Sequence, residues 1–190
     1  MQEIEIEFKN LLTKEEYDAL VEHYINDYTI AKNQTNYYFE TADFQLKHKH
    51  AALRVREKGG HYIATLKQPV EDGLLETHDS ISETQFNEWY KNLIDLPPNI
   101  KKQLDEIGIN GNELEYKGTL QTIRYEQQYD NCLIVLDHST YNGREDYELE
   151  LEVSNYEQGK QLFEKILNRF KIKQRATSNK IARFLGTVKN

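Results

Sequence analysis

Several stretches of this chain place charged and apolar side chains at alternate positions, the period of a β-strand whose two faces differ. In Glu5-Ile6-Glu7-Phe8-Lys9, two carboxylates and an ammonium share one face, and Ile6 and Phe8 share the other. In Leu53-Arg54-Val55-Arg56, both guanidinium groups lie opposite Leu53 and Val55. Tyr62–Lys67 puts Ile63, Thr65 and Lys67 together, and Leu74–His78 carries Glu76 on a strand of the same kind. Thr119–Glu126 sets Arg124 beside Thr122 and Glu126, and Leu133–Asp137 sets Asp137 with Leu133 and Val135. Tyr147–Val153 lines up Glu148, Glu150 and Glu152 against Leu149, Leu151 and Val153.

One such strand alone reads as an exposed edge, where charge blocks aggregation. So many together read differently. Glutamate, aspartate and lysine are poor strand formers, and three glutamates on one face repel one another unless a cation is present. A divalent metal held by carboxylate oxygens removes that penalty, and paired arginines grip phosphate bidentately. A closed barrel would bring these faces into one space.

The rest of the chain bounds this reading. Its 190 residues, 29% charged and 11% aromatic, describe one globular domain over 1–190 with a real core. No apolar run has the length of a membrane span, and the chain opens on a strand pattern rather than a signal peptide. Cys132 is the single cysteine. That leaves no internal disulfide and no Cys-based zinc cluster, so a reducing cytoplasm is expected. The net charge of −8 argues against nucleic-acid or anionic-membrane partners. It allows a small polyanion, because local charge decides that.

Punctuation places the elements. Thr13-Lys14-Glu15-Glu16 and Ser82-Glu83-Thr84-Gln85 are capping boxes. The first opens a helix to about Asn26. The second opens one whose face is Phe86, Trp89, Tyr90 and Leu93, ended by Pro97-Pro98. Gly59-Gly60 marks a hairpin. A short helix is expected over Asn99–Ile107, an interrupted strand over Glu113–Gln128, an amphipathic helix over Tyr156–Phe170, and a last helix capped by Ser178. Strands with a helix, then strands with a helix again, predict an α+β barrel. His48 and His50 read as surface, Cys132 as core, and Tyr38 as the aromatic able to approach a substrate. No GxxxxGK motif is present, which excludes a P-loop.

In that order, end to end, the elements resemble the CYTH superfamily of triphosphate tunnel metalloenzymes, and most closely its YjbK-type single-domain branch. Glu5–Lys9 is similar to the family's ExExK strand, Arg54 and Arg56 to its arginine pair, and Thr65-Leu66-Lys67 to its threonine-leucine-lysine strand. Glu148–Glu152 is similar to the late ExE element, and Lys180 to the C-terminal lysine. The run of three glutamates allows two alignments, of which Glu150 with Glu152 is favoured and Glu148 contributes.

The resemblance implies an eight-stranded antiparallel tunnel with helices outside, binding a small-molecule triphosphate with Mg²⁺ or Mn²⁺. It implies substrate contacts at Lys9, Arg54, Arg56, Lys67, Arg124 and Lys180. It implies metal ligands among Glu5, Glu7, Glu76, Asp137, Glu148, Glu150 and Glu152. Glu5, Glu7, Lys9 and Lys180 would be catalytic, in a monomer or homodimer. The expected reaction is hydrolysis of inorganic tripolyphosphate, or of nucleoside or thiamine triphosphates, by metal-activated water. A class IV type adenylate cyclase and a non-catalytic polyphosphate or nucleotide binder are the alternatives.

Overall fold

The computed structural model describes residues 1–71 and 73–188. Eight strands form a closed antiparallel barrel, as expected: β1 (Gln2–Leu12), β2 (Lys32–Thr41), β3 (Ala52–Lys58), β4 (His61–Val70), β5 (Gly73–Ile81), β6 (Leu114–Tyr129), β7 (Cys132–Tyr141) and β8 (Arg144–Val153). Their order around the barrel is β1-β5-β4-β3-β2-β6-β7-β8. The helices are α1 (Lys14–Tyr24), α2 (Gln45–His48), α3 (Glu83–Tyr90), α4 (Pro98–Glu106), α5 (Tyr156–Arg169) and α6 (Lys180–Leu185). No helix of the described residues is long and apolar enough to cross a membrane.

Contacts gather the chain into two units, each discontinuous in sequence. The first holds Met1–Ile4, Gln34–Leu120 and the chain from Lys180. The second holds Glu5–Asn33 and Gln121–Asn179.

In the first unit, one face of β3 and β4 supplies Leu53, Val55, Ala64 and Leu66 to a core completed by Phe86 and Trp89 of α3 and Ile100 and Leu104 of α4. Arg54, Arg56, Thr65 and Lys67 therefore project from the face turned away from those helices. Gly59 and Gly60, both at positive φ, close the β3–β4 hairpin with Lys58 opposite His61.

Both capping boxes form, satisfying helix N–H groups that would otherwise lack partners. The helix α3 stops at Tyr90, short of the expected Leu93. Asn92 turns to φ 63°, and the Leu93 amide donates back to the Glu88 carbonyl at 2.9 Å. Tyr90 and Leu93 are consequently 49% and 66% exposed, outside the expected buried face. The expected break in β6 is absent: the strand runs from Leu114 to Tyr129 through Gly118, which takes φ 140°. A Cβ there would lie 2.6 Å from the Phe184 ring of α6. The short α2 was unforeseen. The Glu40 carboxylate, fully buried, accepts from the amides of Thr41, Leu46 and Lys47 and so holds this turn.

In the second unit, Ile134 and Leu136 of β7 and Leu149 and Leu151 of β8 pack with Tyr17 and Leu20 of α1 and Phe163, Ile166 and Leu167 of α5. The glutamates of β8 lie on the other face. Cys132 is buried, as expected, and burial pushes its thiol pKa up, which favours the inert protonated form.

Candidate functional site

Each unit presents one charged strand face, and the two differ in sign. The face of the second unit is acidic. Strand pairing sets Glu7 opposite Glu152, Lys9 opposite Glu150 and Leu11 opposite Glu148. Across the next ladder Glu148 faces Asp137 and Glu150 faces Val135, and across the one after, Asp137 faces Arg124. The register thus gathers Glu7, Glu148, Glu150, Glu152 and Asp137 with the cations Lys9 and Arg124, and Glu5 is near enough to act on the Glu152 charge.

These cations are engaged by carboxylates. Lys9 pairs with Glu7. Arg124, 9% exposed, donates from Nε to Asp137 Oδ1 at 2.7 Å, from Nη2 to Asp137 Oδ2 at 2.6 Å, and from Nη2 to Glu150 Oε2 at 2.7 Å. The Asp137 and Glu150 charges stabilise the guanidinium form despite its burial, and its pKa is raised well above the usual arginine value. The sequence expectation set Arg124 on phosphate and Asp137 and Glu150 on metal. The structure brings these three together as one buried triad.

Glu152 carries the consequence of the crowding. Burial and the nearby charges of Glu5, Glu150 and Glu7 push its pKa up to about 7, with Arg124 opposing them. Hard oxygen donors held this close suit a divalent cation, which would let all of them ionise. Neither Mg²⁺ nor Mn²⁺ is singled out by the donor set.

A pH dependence follows. Between the ordinary glutamate pKa and about 7, the metal-free folded chain holds a proton at Glu152 that the unfolded chain has released. Stability from this group is therefore present at low pH and lost as pH rises through about 7. Urea unfolding of wild type and Glu152→Gln in EDTA is expected to show the wild type losing stability relative to the variant over that window. Mg²⁺ or Mn²⁺ is expected to reverse the loss. A pH-independent difference would contradict the crowding.

The face of the first unit is mainly basic. Arg54 is opposite Thr65 and Tyr38, and Arg56 is opposite Asn36 and Ile63. Arg56 Nε donates to Asn36 Oδ1 at 2.9 Å, which aims the guanidinium. Arg54 Nε is buried with no hydrogen-bond partner among the described residues, so a phosphate oxygen would complete it. Lys67 is opposite Glu76 and pairs with it. Glu76, expected among the metal carboxylates, also lies 3.3 Å from His78 Nε2. Tyr38 is 3% exposed with its ring 5.3 Å from Phe184, which places it in packing. Lys180 opens α6 and is half-buried.

Two partners were missing from the sequence expectation: Asn36, which meets Arg56 only through strand register, and Glu3, which shares its strand parity with Glu5. His48 and His50 are exposed, as expected.

The chain thus combines a closed eight-stranded antiparallel barrel with paired arginines on a strand face of the first unit and rows of glutamates on a strand face of the second. The family model described as the CYTH domain matches residues 3–185, and the chain belongs to that family. It is 46% identical over 187 residues to Bacillus subtilis YjbK, a protein provisionally named a triphosphatase, covering 96% of this chain and 95% of that one. A Bacillus halodurans crystal structure, provisionally named an adenylate cyclase, is 41% identical with a TM-score of 0.90, over 96% of this chain and 98% of that one. The fold extends to Hippeastrum HpAC1, provisionally an adenylyl cyclase and described as having a dominant triphosphatase activity. It is 24% identical with a TM-score of 0.75, covering 98% of this chain and 96% of that one.

Proposed function

We propose that this protein is a metal-dependent triphosphatase acting on inorganic tripolyphosphate and, less selectively, on nucleoside or thiamine triphosphates in the cytoplasm. The observation that carries the reading is the crowded carboxylate face of Glu5, Glu7, Glu150 and Glu152, which raises the Glu152 pKa to about 7. Binding a phosphate chain needs cations. A row of mutually repelling carboxylates serves a bound metal, and so favours hydrolysis over passive binding.

In this reading Glu5, Glu7 and Glu152 hold Mg²⁺ or Mn²⁺, with Glu148 and Glu150 contributing. The bound ion would supply phosphate charge neutralisation and a lowered water pKa. Arg54 and Arg56 grip phosphate oxygens, with Asn36 fixing the second guanidinium. Lys67, Lys9 and Lys180 offset the remaining charge, which for a triphosphate is about four near neutral pH. Arg124 and Asp137 act by holding Glu150 in place. Water oxygen attacks the terminal phosphorus, the bridging P–O bond breaks and its electrons leave on the departing phosphate chain. The water proton passes to solvent or a face carboxylate. No covalent nucleophile is needed. The names given to YjbK and HpAC1 support this reading.

The products test it. Tripolyphosphate is expected to yield one orthophosphate and one pyrophosphate, and ATP to yield ADP and orthophosphate. Cyclic AMP with pyrophosphate from ATP would assign a cyclase instead. Tight binding of tripolyphosphate without turnover in Mg²⁺ or Mn²⁺ would assign a binding module.

A further inference from the structure

Apart from the carboxylate face of the second unit, the first unit carries a cluster with a nitrogen donor. His78 Nε2 lies 3.1 Å from Glu3 Oε1 and 3.3 Å from Glu76 Oε2, and one ligand atom from each residue falls within 4.8 Å of the others. Metal–ligand bonds of about 2.0–2.2 Å put neighbouring ligand atoms roughly 3.0–3.5 Å apart, a range that both Nε2 distances fit. A single Nε2–H can point along only one of these directions, whereas a cation satisfies both.

The supporting contacts agree. Thr65 Oγ1 lies 3.0 Å from His78 Nδ1. An Nδ1–H donated to this hydroxyl leaves the Nε2 lone pair facing the carboxylates, the usual outer-shell arrangement for a metal-bound imidazole. The two oxygens of Glu76 are divided: Oε1 pairs with Lys67, and Oε2 faces His78. Backbone pairing fixes the cluster, since the His78 amide donates to the Met1 carbonyl at 2.8 Å and Gln2 Nε2 donates to Thr77 Oγ1 at 3.0 Å.

We propose that Glu3, Glu76 and His78 form a site for a divalent transition ion, ligated through His78 Nε2, that ties the start of β1 to β5. One imidazole with two carboxylates favours Mn²⁺, Co²⁺ or Zn²⁺ over Mg²⁺ and Ca²⁺. The inference goes beyond the proposed hydrolysis, and its readouts do not involve turnover.

Metal-stripped protein titrated with Co²⁺ and followed by proton NMR tests the proposal. Ligation at Nε2 is expected to give a strongly shifted, solvent-exchangeable Nδ1–H resonance in wild type and in Glu152→Gln, which weakens the carboxylate face of the second unit. The resonance is expected to vanish in His78→Gln. In Glu3→Gln, a change at an exposed position, its midpoint is expected to move at least about tenfold upward in Co²⁺. Zn²⁺ is expected to raise Tm in wild type and Glu152→Gln and not in His78→Gln. No shifted resonance in wild type, or one that survives in His78→Gln, overturns the proposal.

Discussion

Glu7→Gln is expected to lower tripolyphosphate hydrolysis by about 10²-fold or more while leaving the fold intact. The substitution keeps shape and removes one carboxylate from the face shared with Glu5, Glu150 and Glu152. It also takes the charged partner from Lys9. The defect should appear as a higher Mg²⁺ or Mn²⁺ requirement, with metal affinity reduced on the order of 10- to 100-fold. The metal-free variant should be no less stable than wild type, because one of the charges that raise the Glu152 pKa is gone. Steady-state rates across a metal titration, with unfolding measured in EDTA, separate the two effects. A Glu7→Gln protein as fast as wild type would remove this face from the mechanism.

The second large effect falls on stability. Arg124→Ala removes the guanidinium that pairs with both Asp137, fully buried, and Glu150, 7% exposed. Breaking one side of a buried ion pair costs about 3–5 kcal/mol. In a chain of this size that corresponds to a Tm fall on the order of 10 °C. Arg124→Lys should lie between, since an ammonium restores the charge and loses the bidentate fork. Thermal and urea unfolding measure both. If Arg124 instead served mainly as a phosphate contact, Arg124→Ala would raise KM and leave stability within about 1 kcal/mol of wild type, contradicting the triad.

The division between what was readable in the sequence and what was not follows from the range of the interactions. Parity along one strand is local, so Arg54 with Arg56, Glu5 with Glu7, and the row of glutamates at 148, 150 and 152 were legible, as was the apolar face that each opposes. Capping boxes are equally local, and both formed where expected. Register is not local. That Arg124 meets Asp137 and that Lys67 meets Glu76 depends on pairing between strands, and a shift of two residues would preserve every face while changing every partner. The same holds for the Arg56–Asn36 contact. The early end of α3 depends on Asn92 adopting positive φ, which asparagine tolerates but does not announce. The turn at α2 depends on a carboxylate supplied by the preceding strand, invisible to helical periodicity over so few residues.

In the proposed function, the carboxylate face turns over a triphosphate only with a divalent ion bound. Its most direct test is phosphate release from tripolyphosphate by metal-stripped protein, before and after Mg²⁺ or Mn²⁺ is restored. Negligible turnover is expected in EDTA, with recovery on adding either or both ions and equal molar yields of orthophosphate and pyrophosphate at early times. Full activity in EDTA, or no hydrolysis of tripolyphosphate or of nucleoside or thiamine triphosphates with both ions in excess, would contradict it.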